Sequence, residues 1–247
     1  MIRQRLGKDL LFFDGGMGTL LQEKGLAPGE LPETWNLTHS EEIYKIHRQY
    51  IEAGSDIILT NTFGANALKF HDDSCSLEEI IKAAVSHVKK AEREALLQTG
   101  DERKIYTALD VGPTGKLLKP MGDLEFETAY EAFKEVVILG EQAGADLIHI
   151  ETMSDTYELK AAVLAAKENT SLPVFATVIF DERKKLLTGA DVSSVVALLE
   201  GLGVDALGIN CAMGPKEMLP VLEELIKYSS VPIIVKPNAG LPKQRDG

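Results

Sequence analysis

The segment Glu141-Gln-Ala-Gly-Ala-Asp-Leu-Ile148 decides the fold, because closely similar sequences occur at two other places in the chain. Residues 52–58 read Glu-Ala-Gly-Ser-Asp-Ile-Ile, and residues 200–207 read Glu-Gly-Leu-Gly-Val-Asp-Ala-Leu. In each copy a helical pattern ends at a glycine, a residue favoured just past a helix, and an aspartate precedes a short apolar run. The chain therefore repeats a unit of helix, loop and strand.

Seven short apolar runs alternate with helical patterns along the chain. Apolar and polar residues do not alternate within these runs, which is typical of parallel strands covered on both faces. The runs are residues 10–13, 56–60, 105–109, 147–150, 174–179, 206–209 and 231–235. The helices are predicted at about residues 40–53, 77–98, 125–143, 155–168, 191–202 and 215–228.

This alternation predicts an α/β fold, a (β/α)8 TIM-type barrel rather than an open doubly wound sheet. A further helix and an eighth strand would need roughly another 30 to 50 residues at the usual repeat length. We therefore expect one barrel domain over residues 1–247, with about seven strands, lacking the final helix and the eighth strand. Its outer strands would have unpaired edges, so we expect a homodimer through the open edge.

The composition limits the class of partner. The 247 residues include 26 basic and 38 acidic side chains, a formal net charge of −12. Nucleic acid and anionic membranes both require basic patches, so a small neutral or zwitterionic substrate is favoured. No apolar run approaches the roughly 18 to 20 residues of a membrane helix, and no signal-peptide core is present, which predicts a cytoplasmic protein.

Polar residues follow each predicted strand, where barrel enzymes carry their chemistry. The carboxylates could hold an ammonium group, because buried anions need a cation or hydrogen-bond donors. Glycines there would let backbone N–H groups approach a ligand carboxylate. Helix capping and loop hydrogen bonds are the alternative explanation, which is stronger for Asp110 than for Asp14 and Glu151, and the glycines could simply form tight turns. The candidate substrate-binding residues are Asp14, Gly15, Gly16, Asn61, Asp110, Thr114, Glu151, Asn210 and Asn238.

Four further side chains have an ordinary structural explanation beside any functional one. A thiolate at Cys211 could bind zinc, but a metal site needs more than one ligand and a free cysteine is commonly just buried. Lys236 could form a Schiff base, although a solvated or ion-paired lysine is the commoner case. His149 is expected to be an interior histidine rather than a ligand. Cys75 is expected to lie outside the site.

Six motifs at the strand ends, taken in order, resemble the homocysteine S-methyltransferase family. The nearest likeness is to the homocysteine-binding modules of cobalamin-dependent methionine synthases. The likeness covers essentially the whole chain. The motifs are Asp-Gly-Gly-Met-Gly-Thr at 14–19, Thr-Asn-Thr-Phe-Gly-Ala at 60–65, Asp-Val-Gly-Pro-Thr-Gly at 110–115, Glu-Thr-Met-Ser-Asp at 151–155, Gly-Ile-Asn-Cys at 208–211 and Lys-Pro-Asn-Ala-Gly at 236–240.

The resemblance implies a barrel whose zinc is held by three thiolates, with the homocysteine sulfur as fourth ligand. Zinc lowers the pKa of a bound thiol, so homocysteine would bind as a nucleophilic thiolate. Cys211 would be one ligand, and two further cysteines are expected beyond residue 247. Asp14 and Glu151 would hold the amino group, while Asn210 and Asn238 would flank the metal.

The implied partners are homocysteine and a methyl donor, with a methylcobalamin-bearing domain of a parent protein as the leading candidate. One thiolate cannot replace three, so this stretch alone is expected to be inactive. We assign no catalytic residue. Two alternatives stay open: a non-catalytic binding or interaction module built on a degenerate barrel, and an unrelated barrel lyase that uses Lys236 as a Schiff base.

Overall fold

The computed structural model describes residues 1–70, 75–100 and 103–239. Six strands and eight α-helices are found in these residues. In chain order the elements are α1 (Gly18–Glu23), α2 (Trp35–Thr38), α3 (Ser40–Glu52), β1 (Ile57–Leu59), α4 (Leu77–Thr99), β2 (Tyr106–Val111), α5 (Phe126–Ala143), β3 (Leu147–Met153), α6 (Thr156–Asn169), β4 (Val174–Val178), α7 (Val192–Gly201), β5 (Ala206–Asn210), α8 (Pro215–Tyr228) and β6 (Ile233–Lys236).

The six strands form one parallel sheet, in which each strand pairs with the next strand of the sequence, from β1 to β6. The sheet is curled, because inward-facing side chains from all six strands pack into a single apolar cluster. A larger cluster joins the other face of the sheet to the helices. The predicted barrel-type α/β fold is thus confirmed. The six helices predicted from the sequence lie within two residues of the predicted positions.

The first predicted strand is an exception. Residues 10–13 run parallel to β1 but form only one bridge, between Phe13 and Ile57. The Asp14 N–H donates to the Ile57 carbonyl, and the Ile57 N–H donates to the Phe12 carbonyl, each over 3.0 Å. Leu10 and Phe12 are 78% and 55% exposed, so packing does not hold this segment in a regular strand. The prediction of a full strand here was wrong.

Residues alternate between the two faces of each strand, and this alternation positions the candidate site. The inner face is apolar near the amino ends of the strands, where Tyr106, Leu147, Phe175, Ala206 and Ile234 pack together. Towards the carboxyl ends the same face becomes polar. The inner-face residues at that level are Asp110, His149, Glu151, Thr177, Asn210 and Lys236.

None of the helices in the described ranges combines the length and apolar character that a bilayer crossing requires.

Gly208 allows β5 and β6 to approach closely. A Cβ atom at this position would lie 1.9 Å from the Ile234 carbonyl oxygen, which belongs to backbone and cannot move aside cheaply. We expect Gly208→Ala to lower the free energy of unfolding by about 3 kcal/mol. Urea unfolding followed by circular dichroism measures this change.

Gly201, at the end of α7, is the matched control, because nothing lies within 4 Å of a Cβ atom built there. Gly201→Ala should leave stability unchanged or raise it by about 0.5 kcal/mol, since alanine favours helix. Equal effects of the two substitutions would contradict the close approach of β5 to β6.

Candidate functional site

A cavity of about 950 Å³ extends from the carboxyl ends of the strands into the space between residues 6–13 and β6. Every residue predicted for the site lines this cavity except Thr114. Those that do are Asp14, Gly15, Gly16, Asn61, Asp110, Glu151, Asn210, Cys211 and Asn238. Gly240, the last residue of the sixth motif, lies outside the described residues.

Asp14 follows the Phe13 bridge and is buried at the cavity wall. Its Oδ2 atom accepts a hydrogen bond from the Leu59 N–H over 3.0 Å. Its Oδ1 atom is buried and has no hydrogen-bond partner among the described residues. Burial raises the pKa of Asp14 to about 7, although Lys236 and the Leu59 N–H act in the opposite direction. This carboxyl group therefore changes charge near neutral pH.

Asp110 occupies the equivalent position on β2. Its backbone N–H donates to Thr60 Oγ1 over 3.1 Å, and its carbonyl accepts from Thr62 Oγ1 over 2.8 Å. The Oδ1 atom is buried without a hydrogen-bond partner in the described part of the chain. Burial, and secondarily the charge of Glu151, raise the pKa of Asp110 well above its usual value.

Glu151 on β3 is the carboxylate of this group that forms an ion pair within the chain. Lys236 Nζ lies 2.6 Å from Glu151 Oε2, and His149 Nε2 lies 3.3 Å from the same oxygen. Burial alone would raise the pKa of Glu151, but contacts with His149 and Lys236 lower it to about 2. Burial lowers the pKa of His149, so this interior ring is neutral. Glu151 is therefore the ionised member of the cluster.

Lys236 also lies against the ring of Phe13, 5.0 Å from its centroid. Burial lowers the pKa of Lys236, but Glu151, Asp110 and Asp14 raise it by more, so its net pKa is above the usual value. A Schiff-base lysine must lose its proton before it attacks a carbonyl carbon. Of the two ordinary roles expected for Lys236, solvated or ion-paired, the structure shows the ion-paired one. The Schiff-base interpretation gains no support from this geometry.

Asn210 and Cys211 end β5 in an unusual backbone conformation. Thr152, Cys211 and Ala212 have φ angles of 65°, 54° and 59°, which side-chain-bearing residues seldom adopt. Asn210 ties β5 to β3, since its Oδ1 accepts from the Thr152 N–H and its Nδ2 donates to Thr152 Oγ1. Such strain persists only where surrounding contacts hold it, and it is common at functional sites.

Cys211 lies at the rim of the cavity, where part of the residue is exposed. Its backbone N–H donates to the Lys236 carbonyl over 3.1 Å, and the Asn238 N–H donates to the Met213 carbonyl over 3.1 Å. These bonds hold Cys211 and Asn238 on one side of the cavity. Partial burial, and then the charge of Glu151, raise the pKa of Cys211. Partial removal from water is thus the main reason that a thiolate is disfavoured here.

The glycine turn packs tightly against α3. A Cβ atom at Gly15 would lie 2.7 Å from the Tyr50 hydroxyl oxygen, and this hydroxyl donates to the Gly16 carbonyl over 3.0 Å. A side chain at position 15 would therefore displace the Tyr50 ring, so packing alone favours glycine here whether or not a ligand is bound. The role of this turn in holding a ligand carboxylate stays a prediction.

Asn61 and Thr114 make structural contacts. Asn61 lines the cavity, but its Nδ2 donates to the Pro32 carbonyl over 2.8 Å and its own carbonyl accepts from Asn36 Nδ2 over 2.8 Å. Thr114 donates from both its N–H and its hydroxyl to Glu158 Oε1. Thr114 is therefore not placed beside the other predicted residues.

Glu33 lines the cavity and was not predicted from the sequence. This side chain is 3% exposed. Its Oε1 accepts from the Gly64 N–H, while Oε2 is buried and without a hydrogen-bond partner among the described residues. Burial raises the pKa of Glu33. Glu33 precedes a helix instead of following a strand, so the search of strand ends missed it.

The described residues do not form a metal site by themselves. Within the described ranges, no group of three histidine, cysteine, aspartate or glutamate side chains is arranged to hold a metal ion. Cys211 is a single thiol, and Cys75 packs against the outer apolar cluster. A structural or catalytic zinc site needs three or four protein ligands.

A curled parallel sheet with ionisable groups at its carboxyl ends defines an α/β barrel-type domain with a site for a small charged ligand. Residues 11–247 match the family model described as homocysteine S-methyltransferase. The chain belongs to the homocysteine S-methyltransferase family.

Known relatives agree with this assignment. The chain is 34% identical to the methionine synthase of Mycobacterium leprae over 250 residues, and 34% identical to that of Mycobacterium tuberculosis over 248 residues. These alignments cover 97% and 96% of the chain but only 21% of each relative. The chain thus spans about a fifth of the length of the curated relatives it matches.

Solved structures show the same fold. The apo form of the homocysteine methyltransferase MmuM from Escherichia coli has a TM-score of 0.81 and 26% identity, over 95% of this chain and 84% of that chain. The metallated form of that protein has a TM-score of 0.85 and 24% identity, over 95% and 85% of the two chains.

Asp14 should make stability depend on pH. Its pKa is raised in the folded state, so its favourable contribution is complete below the unfolded value of 3.8 and is lost as pH rises through about 7. Asp14→Asn keeps an acceptor for the Leu59 N–H but cannot ionise. We therefore compare the free energy of unfolding of Asp14→Asn with that of the unsubstituted chain at each pH. We expect this difference to shift in favour of Asp14→Asn by roughly 3–4 kcal/mol between pH 4 and pH 8.

Urea unfolding of the ligand-free chain at the two pH values measures this difference. The exposed carboxylate Asp123 supplies the control, since Asp123→Asn removes a charge that is not buried. The burial argument for Asp14 fails if Asp14→Asn and Asp123→Asn change with pH by the same amount.

Proposed function

We propose that residues 1–247 are the homocysteine-binding barrel domain of a methyltransferase, which presents the homocysteine sulfur as acceptor of a methyl group to give methionine. One structural observation supports this proposal in addition to family membership. Asp14 and Asp110 each keep a buried carboxylate oxygen without a hydrogen-bond partner among the described residues, at the wall of one cavity. Buried polar atoms are normally satisfied, so these oxygens are suited to a ligand's donors.

The ammonium group of homocysteine supplies such donors. It carries a positive charge and three N–H bonds, and charge-assisted hydrogen bonds are the stronger kind. In this arrangement Asp14 and Glu151 hold the ammonium group, as the resemblance implies, and Asp110 adds a third carboxylate. The backbone around Gly15 and Gly16 takes the ligand carboxylate. Binding a cation also favours the ionised form of Asp14.

Methyl transfer then needs an ionised sulfur. The sulfur lone pair forms the new S–C bond in line with the bond that breaks, and the donor leaves with that bonding pair. A thiolate is a far better nucleophile than a thiol. Partial burial, and secondarily the charge of Glu151, raise the pKa of Cys211, so the rim disfavours a sulfur anion. A metal cation at the rim, as the resemblance implies, would stabilise the ionised sulfur.

The finer assignments rest on the resemblance and remain proposals. They are zinc bound through Cys211 and two cysteines beyond residue 247, a methylcobalamin-bearing domain as methyl donor, and a cytoplasmic location. The methionine synthases that the chain matches are about five times longer, which leaves room for such domains in a parent protein. We also propose dimerisation through the open edge of the sheet at β6, because an unpaired strand edge can pair with another chain.

Homocysteine binding tests the proposal directly. We expect Asp110→Asn and Glu151→Gln each to weaken binding about 10- to 100-fold by calorimetry, the loss typical of one charged hydrogen bond. Glu182→Gln, which changes an exposed carboxylate, is the control and should leave affinity unchanged. 4-Mercaptobutyrate, which lacks the amino group, should bind weakly to all variants. Absence of homocysteine binding by the unsubstituted chain would refute the proposed function.

Turnover tests the metal assignment. The chain as given should not retain zinc after dialysis against a chelator and should not transfer a methyl group to homocysteine, because Cys211 alone is one thiolate. A version extended through an adjacent pair of cysteines should do both, and Cys211→Ser in that version should abolish zinc retention. Methyl transfer by the unextended chain would contradict the zinc assignment.

A further inference from the structure

Tyr50 supports the glycine turn, residues 15–18, from the side of α3. Its hydroxyl donates a hydrogen bond to the Gly16 carbonyl over 3.0 Å. Among the described residues, the cavity lining includes residues 15–18 but not Tyr50. The Gly16 carbonyl therefore points towards α3 and away from the cavity.

The direction of this carbonyl fixes the direction of the next backbone donor. In a trans peptide the carbonyl and the following N–H group point to opposite sides. The cis peptide bond of the described residues is Lys119–Pro120, so the bond between Gly16 and Met17 is trans. The Met17 N–H thus lies on the cavity side of the turn. It has no hydrogen-bond partner among the described residues.

The backbone of the turn does not fix this orientation by itself. Glycine has no Cβ atom and adopts both signs of φ about equally well, so a peptide that follows glycine can turn over at little cost. A turned-over peptide would present the Gly16 carbonyl oxygen to the cavity in place of the Met17 N–H. Because a carbonyl oxygen only accepts hydrogen bonds, it would repel a ligand carboxylate. The Tyr50 hydroxyl opposes this change.

The Tyr50 side chain is well held for this role. Its ring packs against two apolar clusters, one containing Ile51 and the other containing Leu21. The hydroxyl oxygen would lie 2.7 Å from a Cβ atom at Gly15, so the ring and the turn are in close contact. Burial, and secondarily the charge of Asp14, raise the pKa of Tyr50. The hydroxyl therefore keeps its proton and acts as a donor.

We propose that Tyr50 is a positioning residue for ligand binding, whose hydroxyl keeps the Met17 N–H directed at the carboxylate of an amino-acid thiol. Tyr50 does not contact the ligand. This role rests on the proposed function, in which the backbone around Gly15 and Gly16 takes the ligand carboxylate. It makes that contact depend on a side chain of α3 outside the cavity.

Tyr50→Phe tests this role, because it removes the hydroxyl and keeps the ring. NMR titration compares homocysteine with 3-aminopropane-1-thiol, which is homocysteine without its carboxylate. We expect Tyr50→Phe to weaken homocysteine binding about fivefold, the effect typical of one neutral hydrogen bond. The affinity for 3-aminopropane-1-thiol should change less than twofold. A loss of homocysteine affinity below twofold, or an equal loss for both thiols, would overturn the proposal.

The amide signal of Met17 gives a second measurement that needs homocysteine alone. Methionine labelled with a heavy nitrogen isotope reports these amides, and Met17→Leu identifies the signal of Met17. Homocysteine should move the Met17 amide proton downfield in the unsubstituted chain, since a carboxylate is a strong acceptor. In Tyr50→Phe this movement should be smaller by at least half. An unmoved signal in the unsubstituted chain, or an equal movement in Tyr50→Phe, would contradict the positioning role.

Tyr44→Phe is the matched control, because it removes a hydroxyl from the same helix. The Tyr44 hydroxyl donates to Glu94, and Tyr44 is not among the described residues that line the cavity. Tyr44→Phe should leave the affinity for both thiols and the Met17 signal unchanged. If it weakens homocysteine binding as much as Tyr50→Phe does, the effect comes from the packing of α3 and the positioning role is wrong.

The two proposals fail in distinguishable ways. If the unsubstituted chain does not bind homocysteine, the proposed function is wrong. If it binds homocysteine and Tyr50→Phe binds it equally well, the function stands and the positioning role of Tyr50 is wrong.

Discussion

The contact between Lys236 Nζ and Glu151 Oε2, 2.6 Å long inside a curled sheet, is the interaction on which the site depends. Three buried carboxylates would repel one another, and burying an unpaired charge is costly. One ammonium group stabilises one ionised carboxylate and leaves Asp14 and Asp110 with raised pKa values. The ligand-free site therefore holds two acids that favour the protonated form, and a bound cation would relieve both.

The backbone places these groups with little freedom. Alternation along each strand directs Asp110, Glu151, Asn210 and Lys236 to the inner face at one level of the sheet. Bonds between strand ends then fix the rim, since Asn210 bonds Thr152 through two atoms and the Lys236 carbonyl accepts from Cys211. The positive φ angles near these bonds are held by them. A site built in this way is largely formed before a ligand arrives.

Much of this arrangement could be predicted from the sequence, because short apolar runs mark the strands, a repeated segment precedes three of them, and the carboxyl ends of parallel strands lie at one end of the sheet. Asp14, Glu151 and Cys211 were found by that rule, and all three line the cavity. The prediction of a strand at residues 10–13 was wrong because an apolar run does not show whether other side chains will pack against it. Glu33 was missed because it reaches the cavity from a turn before a helix, through a contact with a residue 31 positions away.

Under the proposed function, the electrostatics of the cavity separate the two ends of an amino-acid thiol. The acid cluster suits the ammonium end, and Lys236 adds one positive charge among those acids. At the rim, partial burial and secondarily the charge of Glu151 raise the pKa of Cys211, so these surroundings disfavour a sulfur anion. An ionised acceptor sulfur is therefore favoured only if positive charge is added on the Cys211 side. The proposed zinc would supply that charge, while the acid cluster binds and orients the amino-acid end.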